Sequence, residues 1–184
     1  MKSILISIRP KWVAKILKRE KTIEVRKTAP KCELPVDVYI YCTKSKPNLY
    51  RHICYEFFHD KKTFKAGLWN GRIVAKFTLR TIHKFDWQLV ANPFFKVRGS
   101  CLTYSQLKDY ATDTKGKIHD LYGWQISDLE IFDRPRELCE FHKNIQKEPP
   151  EELLCPDCGK PMKYYEYKYL SKAPESYCFV EVDE

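Results

Sequence analysis

The chain has 184 residues, a length that suits one domain, with 43% apolar residues and a formal net charge of +9. No stretch approaches the roughly 20 apolar residues that a membrane helix needs. The apolar run at the N-terminus ends at Arg9 and Pro10, which is too early for a secretory signal. We therefore expect a single cytoplasmic domain over residues 1–184, with no membrane contact.

The charge is unevenly distributed along the chain. Residues 1–31 carry ten Lys or Arg against two Glu, whereas residues 148–184 carry four Lys against nine Asp or Glu. A strongly basic region is typical of a surface that faces a polyanion such as RNA. Many proteins are basic for solubility alone, so charge by itself leaves both explanations open.

The first predicted elements are a buried strand and a basic helix. Residues 3–8 are almost entirely apolar, and Pro10 suits the first turn of a helix. Apolar side chains then recur at helical spacing, with Lys and Arg on the opposite face. Strict alternation resumes at 22–26 and predicts a strand, one face of which carries Thr22, Glu24 and Arg26.

Strands dominate the rest of the chain. Arg134-Pro135 is expected to end the strand that begins near Tyr122, and Thr103 or Ser105 is expected to cap a helix. The predicted strands cover 36–43, 72–83, 124–132 and 176–182, the predicted helices cover 48–59 and 103–112, and 148–152 is a loop. This order predicts an α+β fold around a mixed, barrel-like sheet with two or three helices.

The strongest local chemistry is a set of Cys and His residues near the C-terminus. Cys139 and His142 are separated by two residues, as are Cys155 and Cys158, and twelve residues lie between the pairs. Two such pairs supply the four ligands that tetrahedral Zn²⁺ prefers. A redox dithiol and plain buried thiols are the alternatives, but the thioredoxin-like context of a redox pair is missing. Residues 139–162 are therefore predicted to hold one structural zinc ion.

The string S-I-R-P-K-W-V-A-K-I-L-K-R-E-K-T-I-E-V-R-K near the N-terminus resembles the signature of the ASCH domain family. In that family a strand leads through a polar-Pro pair to a helix and a turn of the form G-x-K-T-x-E-x-R. Similar segments follow in the family's order at 38–44, 71–77, 122–126 and 173–180. The resemblance implies a mixed β-barrel related to the PUA superfamily, whose members mostly bind RNA, with 139–162 as an insertion.

The resemblance also implies a cleft that is lined by the K-T-x-E-x-R segment and that recognises a base or nucleotide. Basic and aromatic side chains would then neutralise phosphates and stack on a base. The same residues also fit purely structural roles, such as an ion pair between Glu24 and Arg26 and core packing of Trp124. The candidate binding residues are Arg9, Lys21, Thr22, Glu24, Arg26, Trp124, Ser127, Ser176 and Tyr177.

A hydrolase acting on RNA or a modified nucleoside is the alternative function. Some ASCH-like proteins are amidohydrolases that deacetylate a modified cytidine, with a set that resembles a Lys, a Thr three residues later and a Glu on a following strand. This chain has Lys21, but Glu24 replaces the Thr and Lys76 lies near the position of the acid. Lys21 and Glu24 would be the acid–base pair of such an enzyme.

Two further possibilities remain from the sequence. Other relatives are linked to metal-dependent RNA cleavage, for which Glu24 and Asp128 would supply carboxylates if their strands were neighbours. A protein-interaction module that uses the acidic C-terminal region and the zinc loop is the least specific possibility.

Overall fold

The structure is a computed structural model, and it describes residues 2–45, 71–85, 98–147 and 164–182. The helices are α1 (Pro10–Leu17) and α2 (Tyr104–Ala111), and Leu138–Glu140 form a short 3-10 helix. The strands are β1 (Ser3–Ile8), β2 (Ile23–Arg26), β3 (Val36–Cys42), β4 (Arg72–Phe85), β5 (Leu121–Arg136), β6 (Phe141–Lys147), β7 (Tyr164–Tyr169) and β8 (Tyr177–Val182).

The predicted helix at 48–59 and the predicted loop at 148–152 lie outside the described residues. In the parts of the chain that are described, no helix has the length and apolar character needed to cross a bilayer.

The eight strands form one sheet in the order β2-β5-β4-β3-β1-β8-β6-β7. Strand β1 lies inside the sheet, parallel to β3 and antiparallel to β8. All six residues of β1 are buried, because one face packs on α1 and the other on a second cluster that contains Phe141. The α+β class predicted from the sequence is confirmed.

The predicted mixed β-barrel is wrong, because the sheet formed by the described residues is not closed into a barrel. No pairing among the described residues joins the two edge strands, β2 and β7. At the start of β2, the backbone N–H groups of Thr22 and Ile23 donate to the carbonyl of Gly99 at 2.8 and 2.9 Å, where a closing strand would have to pair. At the other edge, β6 pairs with β8 through only two residues before it continues into the β7 hairpin.

Strand β5 does not end at Arg134-Pro135, as the sequence predicts, but continues to Arg136. Its register with β4 shifts between the Ala75–Ile131 and Ile73–Arg136 pairs, so Pro135 lies in an irregular stretch. Strand β2 pairs with β5 only as far as Gln125, so the β5 residues beyond it have no β2 partner. Proline is tolerated at such a position because the missing N–H breaks no ladder hydrogen bond.

The two helices begin where the sequence predicts. Pro10 is the first residue of α1, and Arg9 precedes it in an extended conformation, so that the guanidinium leaves the chain at the junction of β1 and α1. Helix α2 begins with a capping box: the Thr103 hydroxyl accepts from Gln106 N at 3.2 Å, and Gln106 Oε1 accepts from Thr103 N at 3.0 Å. Pro10 and the capping box thus fix the starts of two helices that both border the site described next.

Candidate functional site

A cavity of about 430 Å³ opens where the end of β1, the start of α1, strand β2 and helix α2 meet. We call it the β2 cavity. Its lining is both charged and aromatic. The charged lining residues are Arg9, Lys21, Glu24, Arg26 and Glu175, and the aromatic ones are Trp12 and Tyr110.

Three of these charged residues form a contiguous buried group, which we call the charge triad: Lys21, Glu24 and Arg26. Lys21 Nζ lies 3.4 Å from Glu24 Oε2, and Arg26 Nε lies 3.1 Å from Glu24 Oε1. Lys21, Glu24 and Arg26 are only 2, 6 and 8% exposed, respectively. The Arg26 Nε–H is not aligned for a hydrogen bond, so its contact with Glu24 is coulombic. One carboxylate therefore stands between two cations, and the triad has an excess of positive charge when Lys21 is protonated.

The local chain path explains this arrangement. Glu24 and Arg26 are two residues apart in a strand, so their side chains leave the same face. Lys21 precedes the strand, where its backbone N–H donates to the carbonyl of Lys15 at 3.0 Å and ties it to the end of α1. The turn after the helix thus aims the ammonium group at the same space as the two strand residues.

The Lys21 ammonium group is held by backbone carbonyls as well as by Glu24. It donates to Ile23 O at 2.8 Å and to Ser100 O at 2.7 Å, and it lies 5.3 Å from the ring centroid of Trp12. Burial lowers the pKa of Lys21 below its ordinary value of 10.5, and the nearby Glu24 carboxylate opposes this shift. Lys21 therefore connects β2 to the 98–102 segment and also lines the cavity.

Arg26 closes the opposite end of the triad. Its Nη2 donates to Ser7 O at 2.6 Å, and its Nη1 lies 3.5 Å from Ser176 Oγ. Ser7 itself donates from its backbone N to Ser176 O at 2.8 Å and from its hydroxyl to Pro174 O at 2.6 Å. These hydrogen bonds join three parts of the chain into one wall of the cavity: the end of β1, strand β2 and the segment before β8.

Arg9 differs from the triad because it is exposed and forms no ion pair with any residue that the structure describes. Tyr110, on the last turn of α2, keeps 40% of its surface exposed. Both side chains line the cavity. The cavity therefore combines fixed charge at its wall with a cationic and an aromatic side chain that a ligand could reach.

Four predicted binding residues, Arg9, Lys21, Glu24 and Arg26, line the β2 cavity together. The other five lie elsewhere. Thr22 is exposed, Ser127 is half-buried on β5 opposite Thr78, and Ser176 contacts the cavity wall only through Arg26 and Ser7. Trp124 is completely buried in the core against Tyr177, with ring centroids 5.0 Å apart, and Tyr177 lines a different depression.

The sequence did not identify Trp12 and Tyr110 as site residues. Trp12 continues the helical spacing of the apolar face of α1, and that pattern assigns it to the core. Tyr110 lies more than eighty residues after Arg26, the last residue of β2. Its helix was predicted, but no local pattern reveals that this helix borders β2.

Asp128 is not a partner of Glu24 in the structure. It forms an exposed ion pair with Arg80 at 2.9 Å and does not line the cavity. Within the described ranges, no group of three or more His, Cys, Asp or Glu side chains could hold a metal ion. The described part of the β2 cavity thus gives no support to a hydrolytic metal site.

The predicted zinc ligands are described only in part. Cys139, in the 3-10 helix, is exposed, whereas His142, in β6, is buried with its ring edge-on to Tyr167 at 4.8 Å. Cys155 and Cys158 lie outside the described residues. A thiol and an imidazole three residues apart fit the donor chemistry of zinc. Structural zinc therefore remains a proposal.

We expect the purified protein to contain about one zinc ion per chain. Replacing Cys158 with Ser should reduce the zinc content at least severalfold, because three ligands hold the ion more weakly than four. Cys32→Ser is the matched control and should leave the zinc content unchanged. Metal analysis after dialysis gives the result, and a zinc content near zero in protein reconstituted with zinc would contradict the prediction.

Comparison with known proteins gives a likeness of structure only. No protein-family model and no curated protein matches the chain. The ASCH protein from Zymomonas mobilis resembles it with a TM-score of 0.49 and 18% identity, over 74% of this chain and 73% of that chain. Two single-residue variants of that protein have TM-scores of 0.49 and 0.47 with 18% and 17% identity; they cover 75% and 74% of this chain, and 77% and 74% of theirs.

Proposed function

We propose that the protein binds a nucleotide, or one nucleotide of an RNA strand, in the β2 cavity. The observation that carries the proposal is the charge triad, in which one buried carboxylate faces two buried cations. The cavity, at about 430 Å³, is within the range of roughly 300–1,000 Å³ that is usual for small-ligand sites. We also propose membership of the ASCH family, on the ordered sequence segments that resemble its signature.

The excess positive charge favours an anionic ligand. Burying an unpaired cation is costly, and an anion placed beside it offsets that cost. Arg9 adds a planar guanidinium that suits a phosphate, because its N–H groups can bind two oxygens at once. A neutral ligand would fill the volume but would leave the charge of the triad uncompensated.

The aromatic lining favours a ligand that carries a base as well as a phosphate. Trp12 and Tyr110 both line the cavity, and aromatic rings stack on any nucleobase. Glu24 can accept a hydrogen bond from a base because each of its oxygens contacts only one cation of the triad. Phosphate recognition by cations and base recognition by aromatic rings and a carboxylate together describe a nucleotide.

We expect Arg9→Ala to weaken the binding of cytidine monophosphate about tenfold or more, because a hydrogen bond to a charged group contributes about 1.5–3 kcal/mol. The fold should survive, since Arg9 is exposed. Calorimetric titration of the monophosphate and of cytidine itself measures the effect, and cytidine should lose much less affinity than the monophosphate.

Arg80→Ala is the matched control for this experiment. Arg80 is exposed, is bound to Asp128 and does not line the cavity. Its removal should leave both affinities within about twofold, because exposed ion pairs contribute little. Equal losses in the two variants, or no binding by the natural chain to any nucleotide or short RNA, would overturn the proposed function.

A hydrolase is the second candidate, and one observation favours it. Lys21 and Glu24 are in contact inside the cavity, and burial lowers the pKa of Lys21 toward the range in which an amine can exchange protons. The Lys21 ammonium group, however, already donates to two backbone carbonyls. Turnover would be detected by incubating the protein with RNA and with modified nucleosides and analysing the mixtures by mass spectrometry. New products would favour the enzyme.

A further inference from the structure

A second depression lies beside the β2 cavity. It is bounded by residues 27–31, which follow β2, and by the rings of Tyr122, Tyr177 and Phe179, and its volume is about 570 Å³. We call it the β8 groove. None of its lining residues contributes to the β2 cavity, so it is a separate surface.

The charge of the β8 groove is entirely positive. Lys27 and Lys31 line it, both are exposed, and no acidic side chain is among the lining residues. Lys2 adds a third ammonium group, whose Nζ lies 4.4 Å from the ring centroid of Phe179. Phosphates of a nucleic acid would be neutralised here without competition from a lining carboxylate.

The aromatic rings of the groove are held in place. The Tyr177 hydroxyl donates to Ala29 O at 3.1 Å, and the ring packs edge-on against Trp124, which is fully buried. Tyr122 and Phe179 are also half-buried, each within a strand. A ring that is already ordered loses little conformational entropy when a base stacks on it.

The β8 groove and the β2 cavity share a wall. Arg26 lines the cavity, and the next residue, Lys27, lines the groove. Ser176 lies 3.5 Å from Arg26 Nη1, and the residue after it, Tyr177, also lines the groove. Lys27 also lies over the ring of Tyr110, a cavity residue, with Nζ 5.1 Å from the ring centroid. Lys27 is therefore positioned between the two depressions, where a phosphate that links adjacent nucleotides would lie.

We propose that the β8 groove binds a neighbouring nucleotide of a single-stranded nucleic acid whose other nucleotide occupies the β2 cavity. This inference rests on the proposed function and extends it, because it makes the ligand a strand and not a free nucleotide. The groove adds phosphate contacts through Lys27 and Lys31 and a stacking surface for a second base. An acidic peptide would use the lysines but would have no base to stack on the rings.

The test compares cytidine monophosphate with labelled RNA and DNA oligomers of increasing length. We expect the natural chain to bind a short single strand about tenfold or more tighter than the monophosphate, because stacking contributes about 1–3 kcal/mol per base. The variant Lys31→Glu, at a lysine that lines the groove and not the cavity, should lose much of this gain. Its affinity for the monophosphate should stay within about twofold, and its salt slope should fall by about 0.7, the value of one phosphate contact on a single strand.

The variant Lys115→Glu is the matched control, because it makes the same change of charge at an exposed lysine outside both depressions. It should retain the preference for the oligomer. Monophosphate binding without any gain for RNA or DNA oligomers would overturn this inference and leave the proposed function intact. Binding of neither ligand would overturn both, as would a preference for an acidic peptide over every nucleic acid.

Discussion

Lys21→Met should lower the free energy of unfolding by about 3–5 kcal/mol, which is the usual cost of removing one partner from a buried charge pair. The ammonium group satisfies two backbone carbonyls, Ile23 O and Ser100 O, and contacts Glu24. Met fills a similar volume but donates no hydrogen bond, so it leaves two buried acceptors unpaired. Urea denaturation, followed by circular dichroism, measures the loss.

Lys76→Met is the comparison for this experiment. Lys76 also forms an ion pair, with Nζ 3.2 Å from Glu130 Oε2, but its side chain is 32% exposed and that of Glu130 is 58% exposed. Its removal should cost less than about 1 kcal/mol. If both variants lost the same small amount, Lys21 would not have the structural role that its buried contacts indicate.

Nucleotide affinity should fall as pH rises through the alkaline range, by up to about tenfold per pH unit. Burial lowers the pKa of Lys21 below 10.5 in the free protein, whereas a bound phosphate would favour the protonated amine and raise that pKa again. Between the two pKa values, binding takes up a proton, and affinity is therefore lost as pH increases. Titration calorimetry in two buffers with different ionisation enthalpies measures this proton uptake directly.

The other groups of the cavity do not explain such a pH profile. Burial raises the pKa of Tyr110 above its usual value of 10.0, so this phenol keeps its proton to higher pH than usual. Cys101 follows Ser100, whose carbonyl binds Lys21, so Cys101→Ser is the control variant and should keep the pH dependence. An affinity that is constant with pH in the natural chain would contradict the role of Lys21.

The sequence predicts best what short-range patterns determine. Alternation places Glu24 and Arg26 on the same face of a strand, and the short turn after α1 brings Lys21 to them, so the triad needs only six consecutive residues. The helix starts at Pro10 and at the Thr103 capping box are equally local. These features follow from steric and hydrogen-bonding rules that act over a few residues.

Other parts of the site depend on contacts that the sequence does not reveal. Ser100 supplies a carbonyl to Lys21, but nothing in its neighbourhood indicates this, since the contact spans 79 residues. Strand β6 was missed because Lys143 and Asn144 interrupt any apolar alternation, whereas β7 alternates Tyr with Glu166 and Lys168 and does carry a strand pattern. Strand β6 pairs with both β7 and β8, and pairing of this kind overrides a weak intrinsic preference.

The bonds of Ser7 to the segment before β8 determine when the site can be completed. The hydroxyl of Ser7 reaches Pro174 across 167 residues of chain, and Arg26 depends on the same wall. During synthesis the ribosome delivers α1 and β2 long before β8, and contacts this distant in sequence form slowly because the whole loop between them must close. A nascent chain therefore carries the triad for most of its synthesis without a finished cavity around it. Glu175 and the Ser176 contact of Arg26 come from the segment just before β8, so this wall of the cavity is complete only after β8 has paired with β1.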